Sequence, residues 1–210
     1  EGSGLGLAVA HGIVEQHGSS ELTEIRRQRV EWQKEATSEL ARGGSETGRA
    51  FDRYMEHENI KTVDTLDQAK EQLIQDWKQH QDGEESTLIL AYRKKDVADL
   101  NQRARGVLKE AGSLGSEERT FETVRGNLPF AENDRIMFLR NEKSIGVKNG
   151  TIGSVERVES NGLLIKLDNG ATVAFDAGLY RDFDYGYAAT IHKTQGVTID
   201  RSFVLGSAHF

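Results

Sequence analysis

Thr87-Leu-Ile-Leu-Ala-Tyr-Arg-Lys-Lys-Asp-Val-Ala-Asp-Leu-Asn101 changes character halfway along its length. Its first five residues are a continuous apolar stretch, as expected for a strand buried on both faces of a parallel sheet. From Asp96 onward the period is helical. Val97, Leu100, Ala104, Val107 and Leu108 share one face, Asp96 stands where a cap belongs, and Gly112 is the stop. A strand feeding a helix in this way is the unit of an α/β layered domain. Tyr92, Arg93 and Lys94 occupy the junction, where open α/β sheets place their ligands. Tyr92 suits stacking on a base and Arg93 suits a phosphate; a solvated charge cluster at a helix start is the equal alternative.

The same alternation extends toward the N-terminus. Ile60 to Val63 reads as a strand, followed by a capping box of Thr65 and Gln68 and a buried face of Leu66, Ala69, Leu73 and Trp77. Between Arg29 and Arg42, Trp32, Ala36 and Leu40 recur every four residues, with Gly43 and Gly44 as the stop. Ser45 is expected to cap a short helix carrying Ala50, Phe51, Tyr54 and Met55. Leu7 to Val14 reads as another short helix, and Leu22 and Ile25 as a strand running into Arg26 and Arg27. Gln79 to Ser86 is a polar, solvated loop.

After Gly115 the rhythm shortens. Pro129, the chain's one proline, reads as a link before an extended run from Arg135 to Leu139. Asn149-Gly150 and Asn169-Gly170 are tight-turn signals, the second flanked by strands over Leu163 to Asp168 and Ala171 to Phe175. Short strands between glycine-rich turns suggest a small barrel. From Tyr187 the first pattern returns, closing on a buried strand over Ser202 to Leu205. The expected architecture is one α/β domain, residues 1–118 and 183–210, interrupted by a β-barrel over 119–182.

Bulk composition narrows the class. The chain has 210 residues, 36% hydrophobic and 29% charged, with no cysteine, which excludes disulfides and thiolate metal sites. No apolar run approaches the roughly 18 residues of a membrane span, and no basic-then-apolar leader opens the chain, so a cytoplasmic protein without membrane contact is expected. The opening Glu-Gly-Ser-Gly, without an initiator Met, suggests an excised fragment. The formal net charge is −7; Arg119 to Asp182 holds nine basic and nine acidic residues, so the surplus lies elsewhere. A nucleic-acid surface would therefore be a local patch rather than the field of the whole chain. Asp64, Asp67, Asp96 and Asp99 read as helix caps rather than a metal site, and the histidines show no zinc spacing.

Chemistry concentrates in Tyr185-Gly-Tyr-Ala-Ala-Thr-Ile-His-Lys-Thr-Gln-Gly-Val-Thr-Ile-Asp-Arg201. An apolar run meets His192, Lys193, Thr194 and Gln195, then turns on Gly196, whose missing Cβ lets a ligand approach the backbone. This wording resembles the fifth motif of superfamily 1 DNA helicases in its RecD-like form. Glu21-Leu-Thr-Glu-Ile-Arg-Arg-Gln28 is similar to the fourth motif, and Leu88 to Asn101 to the strand and helix after it. Asn133 to Asn141 and Val147 to Gly153 resemble the SH3-like barrel inserted in RecD-like helicases. The form most similar is the helicase part of TraA/MobA-type conjugative relaxases.

The resemblance implies a RecA-like parallel sheet with helices on both faces, as the second of two such domains. It implies that Arg27 contacts nucleotide phosphate, supported by Gln28, with Gln195 and Gly196 on the interdomain side. Arg27 and Arg26 read alone are also a plain surface pair. Thr190, His192, Lys193 and Thr194 would face single-stranded DNA, joined by Tyr92, Arg93, Lys148 and Asn149; for the last two, a solvated hairpin tip is an equal reading. ATP and Mg2+ would serve the intact protein and none is expected on this chain, because no G-x-x-x-x-G-K-[ST] loop or acidic Walker B strand is present and the sixth motif is absent. Partners implied are single-stranded DNA, a first RecA-like domain, and the type IV secretion machinery. A recognition module for that machinery, and a RecD-type repair helicase, are the alternatives. In the full-length protein, Arg27→Ala is expected to abolish ATP-driven unwinding while leaving the circular-dichroism spectrum unchanged; near-normal unwinding excludes the role.

Overall fold

The computed structural model describes residues 4–7, 30–81, 85–194 and 199–206. In chain order the elements are β1 (Gly4–Leu7), α1 (Glu31–Arg42), α2 (Glu46–Glu56), β2 (Ile60–Val63), α3 (Leu66–Lys78), β3 (Thr87–Ala91) and α4 (Lys94–Glu110). Then follow β4 (Glu118–Thr123), β5 (Gly126–Ala131), β6 (Arg135–Phe138), β7 (Ile152–Val158), β8 (Gly162–Leu167) and β9 (Thr172–Asp176). The chain ends with β10 (Phe183–Tyr185), β11 (Ala188–Thr190), a single 3-10 turn over Ile191–Thr194, and β12 (Arg201–Leu205).

One sheet has the order β11-β3-β12-β1-β2. β3 lies parallel to both β11 and β12, whereas β1 runs antiparallel to β12 and to β2. The expected parallel sheet is thus correct for β11, β3 and β12, two of which carry the site, with an antiparallel flank, a common arrangement in large mixed sheets. Alternation along β3 explains how one strand serves two cores. Leu88 and Leu90 point to the side of Ala36, Ala50 and Tyr54 from α1 and α2. Ile89 and Ala91 point to the side of Ala69, Leu73, Ile74 and Trp77 from α3 and Leu100, Ala104 and Leu108 from α4. Helices therefore cover both faces, as expected.

Local signals match their elements. Thr65 Oγ1 accepts from the Gln68 N–H at 3.2 Å and Gln68 Oε1 accepts from the Thr65 N–H at 3.1 Å, completing the capping box. Gly43 closes α1 at a φ of 69°, a left-handed conformation that costs glycine little. Other expectations need correction. Ser45 precedes α2 but its side chain makes no capping bond. Leu7 ends a strand instead of opening a helix, and the rest of that helix and the strand at Leu22 and Ile25 lie outside the described residues.

Pro129 sits within β5, opposite Thr120, in a two-stranded ribbon with β4. With no strand beyond β5 in that ribbon, its missing N–H costs no ladder bond. The remaining strands form an open sheet in the order β10-β6-β7-β8-β9. No ladder joins β9 to β10 or the ribbon to this sheet, so the expected closed SH3-like barrel is not seen among the described residues, which form an open five-stranded sheet and a two-stranded ribbon. A register shift between Val155 and Arg157 supplies a bulge in β7, which increases local twist. Gly162 permits the β8–β9 pairing: a Cβ there would stand 1.9 Å from the Phe175 carbonyl oxygen. Phe183 to Tyr185 pair with β6 rather than resuming the first sheet.

The two halves share one continuous core. Trp77 meets Tyr187 edge-on at 5.8 Å, Tyr187 lies 6.2 Å from Tyr185, and Tyr185 lies 5.0 Å from Phe130. Phe130, Phe183, Phe175 and Phe138 continue the chain of rings into the insert. Beside it lies a buried polar knot. Asp134 is 0% exposed. It accepts from Arg105 Nε and Nη2 at 3.0 Å, from the Tyr187 hydroxyl at 2.5 Å and from the Ala131 N–H at 2.8 Å. One turn earlier on α4, Asn101 accepts from the N–H groups of Tyr187 and Ala188 and donates to the Ala188 carbonyl. Burial works to lower the Arg105 pKa, but the bonds and charge of Asp134 outweigh it and the pKa is raised. Removing one partner of a buried pair strands the other charge, which costs about 3–5 kcal/mol. Arg105→Ala is therefore expected to lose about that much in urea unfolding, whereas Arg157→Ala, from the exposed Arg157–Glu159 pair, should change it by less than about 1 kcal/mol.

Candidate nucleic-acid interface

β3 and β11 run parallel in a register that sets Thr190 beside Ala91, so both strands deliver their next residues to the same sheet edge. From β3 come Tyr92 and Arg93; from β11 come Thr190 and the turn with His192, Lys193 and Thr194. The rings of Tyr92 and His192 stand 6.1 Å apart. Both residues are exposed, Tyr92 by 56%. Two motifs nearly a hundred residues apart in sequence thus meet at the carboxyl end of the parallel strands, where such folds bind ligands.

The insert reaches this edge as well. Lys148, Asn149 and Gly150 form the tight turn expected from Asn149-Gly150, with Gly150 at a φ of 88°. A Cβ on Gly150 would lie 3.1 Å from the carbonyl oxygen of Lys193, so this turn rests against the backbone of the 3-10 turn. Lys148 and Asn149 are exposed beside it. The Asn149 N–H donates to Asn141 Oδ1 at 2.7 Å and the Lys148 N–H to Thr151 Oγ1 at 3.1 Å, which holds the turn in shape.

Not every expected ligand points outward. Arg93 donates through Nε to Asp96 Oδ2 at 2.6 Å. Asp96 is buried rather than a helix cap: the cap position of α4 is Arg93, and no side chain bonds there. Lys70 donates to Asp99 at 2.7 Å and pairs with Asp96 at 2.9 Å, so these carboxylates link α3 to α4. Thr194 donates its hydroxyl to the Ile191 carbonyl at 2.9 Å, so it shapes the turn. Arg27, Gln28, Gln195 and Gly196 lie outside the described residues.

Behind the edge is a cleft of about 70 Å³ between α4 and the insert, lined on its rim by Lys94, Arg125, Asp184, Thr190 and Lys193 over an apolar floor that includes Met137 and Ala189. Lys193 is half-buried. Burial first, then the charges of Arg125 and Lys94, lower its pKa, against the pull of Asp184. Burial raises the Asp184 pKa, opposed by the Tyr185 N–H and Arg125. Arg125, in the β4–β5 turn, and Asp184, in β10, carry no local motif. They reach the cleft only through folding, so no sequence signal pointed to them.

Residues 4–65 match the family model described as an AAA domain. The chain is 40% identical over 203 residues to the conjugal transfer protein TraA of Agrobacterium fabrum, and 37% identical to the probable conjugal transfer protein TraA of Sinorhizobium fredii. Each match covers 95% of this chain and 18% of the relative, so the chain spans about a fifth of the length of these relatives. Bacteroides Pif1 bound to ssDNA is similar at 23% identity with a TM-score of 0.43, over 55% of this chain and 33% of that one. Over nearly its whole length, the chain is thus similar to one segment of TraA conjugal transfer proteins.

The paired charges behind Arg93 make a pH signature. Burial opposes ionisation of Asp96 and Asp99, but their bonds to Lys70, Arg93 and Arg103 prevail and both pKa values are lowered. Burial likewise opposes the Lys70 charge, and the same bonds raise its pKa. The carboxylates contribute stability above their unfolded pKa of about 3.9 and lose it as pH falls through their lower folded values. Lys70 contributes fully below about 10.4 and loses its share as pH rises through its higher folded value. Asp96→Asn/Asp99→Asn is expected to flatten the acid limb of stability below about pH 4, as read from urea midpoints against pH.

Proposed function

We propose that this chain is the second RecA-like domain of a conjugative relaxase helicase, and that its exposed edge holds single-stranded DNA during transfer of plasmid DNA. The observation that carries the reading is the meeting of Tyr92, Thr190, His192 and Lys193 with the Lys148–Gly150 turn at one sheet edge. An aromatic face supports base stacking, and Lys193 with exposed Lys148 supplies backbone contacts. The RecA-like part would comprise residues 1–118 and the strands from β11 onward, with the open insert in the place of the family's SH3-like element.

In the intact protein, ATP and Mg2+ binding would use Arg27, Gln28, Gln195 and Gly196 together with a first RecA-like domain, and cleft closure would advance the strand. The reading places the protein in the cytoplasm; no helix among the described residues is long and apolar enough to cross a membrane. The net charge of −7 favours one second reading, an acidic surface for a protein partner such as the type IV secretion machinery. Salt separates the two. Binding of a labelled single-stranded oligonucleotide by the full-length protein, followed by fluorescence anisotropy, should weaken steeply with salt, and Lys193→Ala should reduce the slope of log affinity against log salt by about 0.7. A slope near zero, or an unchanged slope in the variant, would falsify the assignment.

A further inference from the structure

The cleft behind the edge holds Lys94, Arg125 and Lys193 against one carboxylate, Asp184, a local positive excess on a chain whose net charge is −7. Its cations come from three separate places: the first turn of α4, the β4–β5 ribbon and the turn after β11. We propose that this cleft is a phosphate seat for the nucleic-acid backbone, in which Arg125 is a movable ligand and Asp184 an internal anion that holds Arg125 until a phosphate replaces it. The proposal rests on the nucleic-acid reading above and adds to it a residue and an exchange.

Size, geometry and charge each support the exchange. At about 70 Å³ the cleft has room for several water-sized groups, enough for a phosphate. Arg125 reaches Asp184 by Nε at 3.3 Å, with side-chain exposures of 44% and 19%. That is long for a charge-assisted bond, which is ordinarily about 2.7–2.9 Å, and exposed pairs of this kind are weak. The guanidinium is a planar fork matched to phosphate oxygens, so leaving one carboxylate for a phosphate costs it little. Asp184 keeps a bond from its own Tyr185 N–H at 2.8 Å, which holds the carboxylate in place as Arg125 leaves. Lys193, held below its ordinary pKa by burial and by Arg125 and Lys94, gains from any anion that enters. Thr190 adds a hydroxyl at the rim. An oxyanion entering here would touch both the RecA-like sheet and the insert, so the backbone of a bound strand would bridge them.

The test is the affinity of the full-length protein for a labelled oligothymidylate, by anisotropy at several salt concentrations. Arg125→Ala should weaken binding about threefold to tenfold and reduce the salt slope by about 0.7, the share of one phosphate contact. Arg125→Lys, which keeps the charge, should recover most of that loss and shows that the Ala variant acts through charge rather than misfolding. Asp184→Asn should tighten binding by a similar factor, whereas Asp168→Asn, the same charge change outside the cleft, should leave it within about twofold. Equal tightening by both Asn variants overturns the seat, since only overall charge would then matter. Normal binding by Arg125→Ala and Asp184→Asn, with loss in Lys193→Ala, overturns the seat and leaves the nucleic-acid reading standing. No loss in any variant, or no binding by the unaltered protein, overturns both.

Discussion

The carboxylate of Asp134 is the point on which the two halves of the chain converge. It is fully buried and ionic, a combination tolerated only when every lone pair finds a donor. The donors come from α4, from the segment entering β11 and from the insert itself: Arg105, Tyr187 and the Ala131 N–H. Satisfying that one group therefore sets the position of the insert relative to the helix and relative to the strand that leads into the 3-10 turn. Asn101, one helical turn away from Arg105, clamps the backbone of Tyr187 and Ala188 with its amide. The turn bearing His192 and Lys193 begins a few residues later, so its location follows from these bonds.

The aromatic rings do the non-directional part of the same work. From Trp77 through Tyr187 and Tyr185 to Phe130, contacts of 5.0 to 6.2 Å connect α3 to the insert. Each such pair adds about 0.5–1.5 kcal/mol beyond burial, and together they make the insert part of the domain's core. The Tyr185 hydroxyl donates to the Pro129 carbonyl at 2.7 Å, which pins the ribbon carrying Arg125. A rigid attachment matters for the cleft, because Arg125 and Lys193 lie on opposite sides of the junction. Their spacing has meaning only if the junction holds.

Charge is distributed with the same division. The chain as a whole is acidic, yet the exposed edge presents Lys148, His192 and Lys193, and the cleft behind it is locally positive. Most other basic side chains named here are matched: Arg93 with Asp96, Arg103 with Asp99, Arg135 with Asp168, Arg140 with Asp182. These pairings leave Lys148 and Lys193 as edge cations without an ion pair among the described residues. This is how a chain of net −7 can present a surface suited to phosphate.

The sequence by itself determined what short range controls. The strand at Thr87–Ala91, the capping box at Thr65 and Gln68, the amphipathic face of α4 and the hairpin at Asn169-Gly170 are set by periodicity and turn chemistry within a dozen residues. Motif wording also singled out Tyr92, Thr190, His192 and Lys193, which the structure sets at the same edge. Tertiary structure decided the rest. Asp134 carries no local signal of burial, yet it is buried, because its compensating charge lies on a helix 29 residues away. Asp96 reads as a cap and is an ion-pair hub, because Lys70 arrives from another helix. Alternation specifies which residues face inward but not which strands meet at the ends, so whether the insert closes was not legible. Arg125 and Asp184 entered the site through register and packing, whose partners are distant in sequence and leave no local pattern.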